Sequence, residues 1–450
     1  MTIAEIENTP LYREAQEIMN NGQTATNFGW RVLIHIADGQ TFKPLKVVAL
    51  NNMRNYSEGF TDITTLTVAV GLGAYARKIY PNRNNLQITL FKLPQGELSE
   101  NDHGDNPIEA ERFSATLLDE GKAPTEGQGV EANSEYELDL TNIVDVHFQL
   151  FNKSMEQIRL MSVGGIFRNC TMETLLRSVL TKEAAKADVD QERAIVGVDL
   201  VPVSNHDKHP QVVLTHGVKL VDVPDFLQKR YGIYNAGLGS YVQNKFWHIF
   251  PLFDTTQFND RQQTLTILVM PQRKYSDIER TYRQRGDSLT VLMTGESAFK
   301  DDGGTQYLND GNGARFSDAA KQMEAVSTNR DNKAIVSRAR NANEFTTDKR
   351  PDGIQHVPMA KDRITSNPFP IYSGLASRNG GWFKGVWQNS DPKLILPGMM
   401  TRVIFTDQNE TREMYGVVHR AQHVSMGVGD ITSEKFTTQT VVDIFVGRPT

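Results

Sequence analysis

Large apolar residues recur at every second position through much of this chain. Val32, Ile34 and Ile36 alternate with other side chains, as do Leu66, Val68 and Val70, then Leu86, Ile88 and Leu90. Tyr136, Leu138 and Leu140 repeat the pattern, followed by Val144, Val146, Phe148 and Leu150. A period of two puts alternate side chains on one face of a pleat, so each run predicts a half-buried β-strand. Turn-rich pieces such as Asn82-Arg83-Asn84-Asn85 separate the runs. Several such strands in series read as an antiparallel sandwich or barrel. The acidic, Gly- and Pro-containing stretch from Gly96 to Gly129 is expected to be a long exposed loop. Strands are predicted again at Trp247–Phe253, Thr264–Met270 and Leu289–Met293, and near the end at Leu394–Phe405, Glu413–His419 and Thr438–Val446.

Helical spacing is confined to three places. Leu11, Ala15, Ile18 and Met19 form one stripe, with Thr9 as a cap, Pro10 at the first helical position and Asn20-Asn21-Gly22 as the stop. Thr171 can cap a helix carrying Leu175, Leu176, Val179 and Leu180. A third helix is expected from Asp222, with Pro224 in its first turn and Gly232 at its end. Residues 300–367 are different. Large apolar side chains are sparse there, so the region reads as disordered or as an extension that orders against neighbouring subunits.

Two stretches suggest an internal repeat. Residues 79–94 and 249–271 share an aromatic-Pro step, an Arg followed by two amides, an alternating strand and a closing Pro. If this is a duplication, the chain holds two related barrels.

At 450 residues the chain is too long for one ordinary core, and roughly three units are expected. Its net charge of -6 argues against a nucleic-acid grip, though not against a channel through which DNA slides. A single cysteine, Cys170, excludes an intrachain disulfide framework and any multi-cysteine metal site. The first residues carry no basic and apolar leader, and no window approaches the roughly 18 apolar residues of a membrane span. Folding in a cytosol is the expectation.

Catalytic motifs are scarce. Gly71-Leu72-Gly73 and Gly237-Leu238-Gly239 are fragments of a dinucleotide fingerprint without its full spacing, and read as turns or bulges. Cys170 precedes a helix start, which can lower a thiol pKa, but a small residue beside a cap explains it. His206, His209 and His216 are interrupted by Pro210, and His419 and His423 flank a strand end. Both groups read as solvated or interface residues rather than metal ligands. Asp301-Asp302-Gly303-Gly304 and Asp310-Gly311-Asn312-Gly313 lack the spacing of a calcium loop and read as turns. No catalytic residue, cofactor or metal is therefore assigned. The aromatic residues Tyr231, Tyr234, Trp247, Trp382 and Trp387 are the candidate interface positions, since large rigid rings anchor interfaces. Taken singly, each is as simply a core anchor.

Three stretches resemble the central baseplate hub proteins of contractile-tailed bacteriophages and related injection machines. The first is Gly164-Gly165-Ile166-Phe167-Arg168-Asn169-Cys170-Thr171, running into Met172–Leu176. The second runs from Leu227-Gln228-Lys229-Arg230-Tyr231-Gly232-Ile233-Tyr234 through Gly237-Leu238-Gly239 to Trp247-His248-Ile249-Phe250-Pro251. The third is Pro397-Gly398-Met399-Met400-Thr401-Arg402-Val403, then Gly416-Val417-Val418-His419 and Thr438–Val446.

The resemblance implies two tube-like antiparallel β-barrels around a small α/β insert, a β-rich α+β fold; the long polar extension is where this chain departs from the family pattern. The corresponding divisions are 1–165 for the N-terminal helix and first barrel, 166–245 for the insert, and 246–299 with 380–450 for the second barrel. Residues 300–379 are the extension. It implies a non-enzymatic virion protein, a homotrimer whose pseudo-sixfold ring adapts a sixfold tail tube to a threefold central spike. Implied partners are tail-tube or tube-initiator proteins, the spike and baseplate wedge proteins, with the genome passing through the lumen and no membrane. The alternatives are a tube initiator, a tube terminator or a capsid-associated part. In other classes they are a particle-borne cell-wall or glycan hydrolase and a carbohydrate-binding module.

Overall fold

The computed structural model describes residues 10–21, 28–37, 39–94, 109–118, 142–187, 194–270, 280–293, 297–301, 314–317, 328–330, 333–335, 355–358, 367, 369–377, 380–407, 410–430 and 435–447. The structure is β-rich. Thr9, Gly22, the predicted strand at Tyr136–Leu140 and the turns at Asp302–Gly313 lie outside the described residues.

The N-terminal half contributes strands β1 (Phe28–His35), β2 (Thr41–Phe42), β3 (Lys46–Asn55), β4 (Ile63–Gly71), β5 (Leu86–Pro94), β6 (Glu109–Leu117) and β7 (Ile143–Phe151). Every pairing among them is antiparallel. Register explains why the apolar period sets the core: Leu50, Leu66, Phe148 and Leu117 stand opposite one another across four strands, all buried. Val32, Ile34, Leu86, Ile88 and Leu90 complete the same core. Fully burying each such side chain stabilises by roughly 1.5–3 kcal/mol. Short helical turns over 72–82 add Tyr75 and Ile79 to it.

Strand β6 corrects the loop expected over Gly96–Gly129. Phe113, Ala115 and Leu117 alternate with Arg112, Ser114 and Thr116, and they are buried between β5 and β7. The acidic, glycine-containing flanks masked a short run with a valid period of two.

A mixed region follows, with α2 (Lys153–Leu160), β8 (Ser162–Cys170), α3 (Met172–Ala184), β9 (Gly197–Leu200), β10 (His209–Lys219), α4 (Val223–Arg230), β11 (Leu238–Gln243) and β12 (Phe246–Pro251). Thr171 caps α3 as expected, its hydroxyl accepting from the Thr174 N–H at 3.3 Å. Helix α4 starts at Val223 with Pro224 in its first turn and ends before Gly232 at φ +83°. β8 and β10 form an antiparallel pair, while β11, β12 and β9 make a small sheet in which β9 runs parallel to β12.

The C-terminal half holds β13 (Thr264–Val269), β14 (Tyr282–Arg285), β15 (Ser288–Met293), β16 (Ser297–Asp301), β21 (Gly381–Gln388), β22 (Met400–Asp407), β23 (Glu410–Val428) and β24 (Lys435–Val446). Within the polar extension, β17 (Ala314–Ser317) pairs with β20 (Gln355–Pro358), and β18 (Thr328–Arg330) pairs with β19 (Lys333–Ile335). Helix α5 (Phe369–Ala376) follows. Two pairings here depart from the expected antiparallel pattern: β13 runs parallel to both β15 and β22, and β17 runs parallel to β20. Leu265, Ile267 and Leu268 of β13 are all fully buried, as suits a strand covered on both faces.

The two suspected repeat stretches end in β5 and β13. One strand is flanked by antiparallel neighbours and the other by parallel ones.

One sheet of fifteen strands runs through both halves. Each half curls upon itself: β1 lies against β24 and β3, and β15 lies against β21. The helix α1 (Pro10–Asn21) packs Leu11, Ala15 and Ile18 on Leu268, Met270, Leu292 and Ile404, so it docks on the C-terminal half. The insert shares one core with that half, through Trp247, Ile249, Phe250, Ile395 and Met399.

Candidate functional site at the shared hairpin

The two halves meet along β23 and β24. On one side β23 first pairs with β22, through Met400↔Val417, and then with β3, from Arg420↔Asn55 onward. On its other side it pairs with β24 from Gly416 to Val428. The register against β24 shifts between Val418 and Arg420, so His419 is the extra residue of a bulge. Bulges bend a strand and raise its twist, and this one stands where β23 leaves one half for the other.

His419 is buried. Its Nε2–H donates to the Leu252 carbonyl at 2.6 Å, and its own carbonyl accepts the Tyr56 N–H at 2.8 Å. Its ring packs among Trp382, Phe253 and Phe445 at centroid distances of 4.9, 5.2 and 6.0 Å. Burial holds its pKa down at about 4, against the opposing pull of the Leu252 hydrogen bond. His423 faces the interior of the N-terminal half. Nδ1 lies 3.0 Å from Thr440 Oγ1 and Nε2 lies 3.0 Å from Ser425 Oγ, which also accepts from Trp30 Nε1 at 3.1 Å. Burial, then the positive charges of Arg54 and Lys92, hold its pKa down at about 3. Neither histidine is the solvated or interface residue expected from the sequence. The long strand carries both inward.

A polar cluster joins the N-terminal half to the insert beside this bulge. Asp62 accepts from Arg54 Nε at 2.9 Å, Asn52 Nδ2 at 3.1 Å and Tyr241 OH at 2.9 Å. Tyr56 stacks edge-on against Tyr241 at 4.8 Å, and its hydroxyl donates within reach of Gln243 Oε1 and the Ile395 carbonyl. Gln243 Nε2 donates to the same carbonyl at 2.8 Å. Burial pushes both tyrosine pKa values up, so their hydroxyls remain donors. Lys92, itself buried, reaches both oxygens of Asp391 at 3.3 Å and ties β5 to the C-terminal half. Sequence reasoning missed this cluster. The usable signal is in β3, where inward positions pass from Leu50 to Asn52 and Arg54.

The aromatic candidates divide. Trp247, Trp387 and Tyr234 are fully buried inside the chain. Trp387 Nε1 donates to Thr281 Oγ1 at 2.9 Å, Trp247 Nε1 to Ser240 Oγ at 2.8 Å, and Tyr234 OH to the Val201 carbonyl at 2.6 Å. These three act as core anchors. Tyr231 and Trp382 remain partly exposed, Tyr231 stacked on His209 at 5.4 Å and accepting the Val213 N–H at 3.1 Å.

Burial pushes the Cys170 thiol up, the opposite of activation. His248 Nδ1 sits 3.0 Å from Asp199 Oδ2, a pairing that leads in holding that carboxyl below its usual range. The other ring nitrogen, Nε2, is buried with no hydrogen-bond partner. No group of three His, Cys, Asp or Glu residues among the described residues is placed to hold a metal. No helix among them is long and apolar enough to cross a membrane.

No family model matches this chain, and no curated protein matches its sequence. Solved structures do. The chain is similar to the 43 kDa tail protein of prophage MuSo2 from Shewanella oneidensis, at 8% identity and a TM-score of 0.46, with 92% of this chain and 98% of that one covered. It is also similar to a chain of the Francisella PdpA-VgrG complex in its lidded and half-lidded forms, at 9% identity and TM-scores of 0.40 and 0.41. There 99% of this chain spans 56% and 62% of the longer partners.

Proposed function

We propose that this chain is a structural subunit of a phage tail or contractile injection particle, and within that class a baseplate hub. The observation that carries this reading is the shared hairpin. One β23–β24 pair forms part of two curled sheets, so each subunit presents two tube-like units in a fixed relation. The three hub-like stretches of sequence support the same role. Three copies would set six such units in a ring, adapting a sixfold tube to a threefold spike, with wedge proteins around it and the genome passing through.

Open sheet edges fit this role. β14 and β16 each pair on one side only among the described residues. Such edges offer main-chain donors and acceptors to a neighbouring subunit. Tyr231 and Trp382 are the aromatic positions left to take part.

The test is the mass and shape of the purified chain. Light scattering should give three times the 50.5 kDa of one chain, and electron microscopy should show six-lobed rings. A strictly monomeric protein that never joins tail proteins refutes the hub.

A further inference from the structure

We propose that the His419 bulge is an acid-released latch, holding the Leu252–Phe253 segment and the end of β3 to the shared hairpin. One imidazole ties three pieces of chain. Its Nε2–H holds the Leu252 carbonyl, its ring fills the cage of Phe253, Trp382 and Phe445, and its carbonyl holds Tyr56. Its Nδ1 is buried with no hydrogen-bond partner. The neutral ring tolerates this, because an unfilled acceptor costs little beside a buried charge. An imidazolium would place a second N–H, and a charge, against aromatic carbon with no acceptor in reach.

The surroundings set the direction. The 252–253 segment, β21 and β24 supply a carbonyl and three rings to His419, and no charged side chain among the described residues acts on it. Asp254, next along the segment, is engaged with Thr256 and Gln257. His423, four residues on, meets Thr440, Ser390 and Ser425, while Arg54 and Lys92 act on it with positive charge. Those two cations are themselves paired with Asp62 and Asp391. The Leu252 hydrogen bond favours a charged His419 ring but burial outweighs it, and burial, Arg54 and Lys92 all oppose charge on His423.

An opened latch exposes ordinary imidazoles, which take up protons below about pH 6.5. The closed form resists until about pH 4 at His419 and about pH 3 at His423. Opening is therefore favoured as pH falls, by up to about tenfold per pH unit for each histidine. The latch is fully held above about pH 6.5 and weakens steadily below it.

Hydrogen exchange on the full chain at pH 7 and pH 5, corrected for intrinsic rates, tests this. The amides of Tyr56, Leu252 and Phe253, bonded to His419, Gly237 and Ala236, should lose up to about a thousandfold of protection. Those of Ile88 and Phe148, at the centre of the N-terminal sheet, should keep theirs. His419→Gln retains a donor for Leu252 but does not titrate, and it should remove about half of the logarithmic change. Parallel loss at latch and sheet centre overturns the proposal, and so does an unchanged slope in the variant. Should that variant fail to fold, the wild-type comparison alone decides.

Discussion

Replacing Asp62 by alanine attacks the link between the N-terminal half and the insert at a buried guanidinium, that of Arg54. Arg54 keeps only 7% of its side chain exposed, while Asp62 keeps 25%. The carboxylate accepts from Arg54, Asn52 and Tyr241 at 2.9, 3.1 and 2.9 Å. Removing one partner of a buried ion pair costs about 3–5 kcal/mol, mostly through the charge left behind. Water can reach the Asp62 side, so the lower end applies, about 3 kcal/mol for Asp62→Ala. Asp62→Asn keeps an acceptor for Tyr241 without the charge and should cost about 2 kcal/mol.

Arg54→Met removes the stranded charge. In the Asp62→Ala background it should therefore recover stability, with a coupling of about 2 kcal/mol between the two sites. Urea unfolding followed by tryptophan fluorescence reads this, because Trp247 and Trp387 are buried in the core shared by the insert and the C-terminal half. A cost below about 1 kcal/mol for Asp62→Ala would show that the pair behaves like a surface salt bridge. Additive single and double variants would refute the coupling.

Two further outcomes follow from close contacts. Gly398 has φ +66°, and an added Cβ would lie 2.1 Å from the Phe250 ring; Gly398→Ala should lose about 3 kcal/mol in urea melts, against about 1 kcal/mol for Gly217→Ala, whose φ is +93° in open space. Buried Asn367 donates to the Gln228 and Lys229 carbonyls at the end of α4, at 2.8 and 2.9 Å; Asn367→Ala should cost about 1–3 kcal/mol, with α5 amides losing exchange protection before those of β23.

The strands were legible wherever one face is buried. Leu66, Val68 and Val70, or Leu86, Ile88 and Leu90, carry their register in the alternation itself. β6 was hidden because composition over a long window outweighed three alternating residues, Phe113, Ala115 and Leu117. The parallel setting of β13 was hidden for a related reason. Both its faces are covered, and the apolar run Ile267-Leu268-Val269 marks a buried strand without marking its direction. The polar cluster was invisible because Arg54 and Asp62 lie about 180 residues from Tyr241, at the separation of 179 that divides Asp62 from it. Pattern within a strand reports its faces, not which distant loop will meet them. The aromatic candidates show the same limit: a buried tryptophan and an interface tryptophan share one sequence signal.

The shared hairpin explains why these hidden contacts gather in one place. A nineteen-residue β23 spans roughly 60 Å at about 3.3 Å per residue, long enough to serve both halves in turn. β23 serves both curled halves of the one sheet, and its register shifts where it passes from one to the other. The bulge at His419 is that shift, and it leaves one residue without a ladder partner. The surrounding segments then meet the freed groups: Tyr56 binds the His419 carbonyl, Leu252 binds its imidazole, and the rings of Trp382 and Phe445 close over it. Any motion of one half against the other must bend the hairpin at this point or break these contacts. The contacts that fix the relation between the two halves are therefore gathered at one bulge, the point the proposed latch would open.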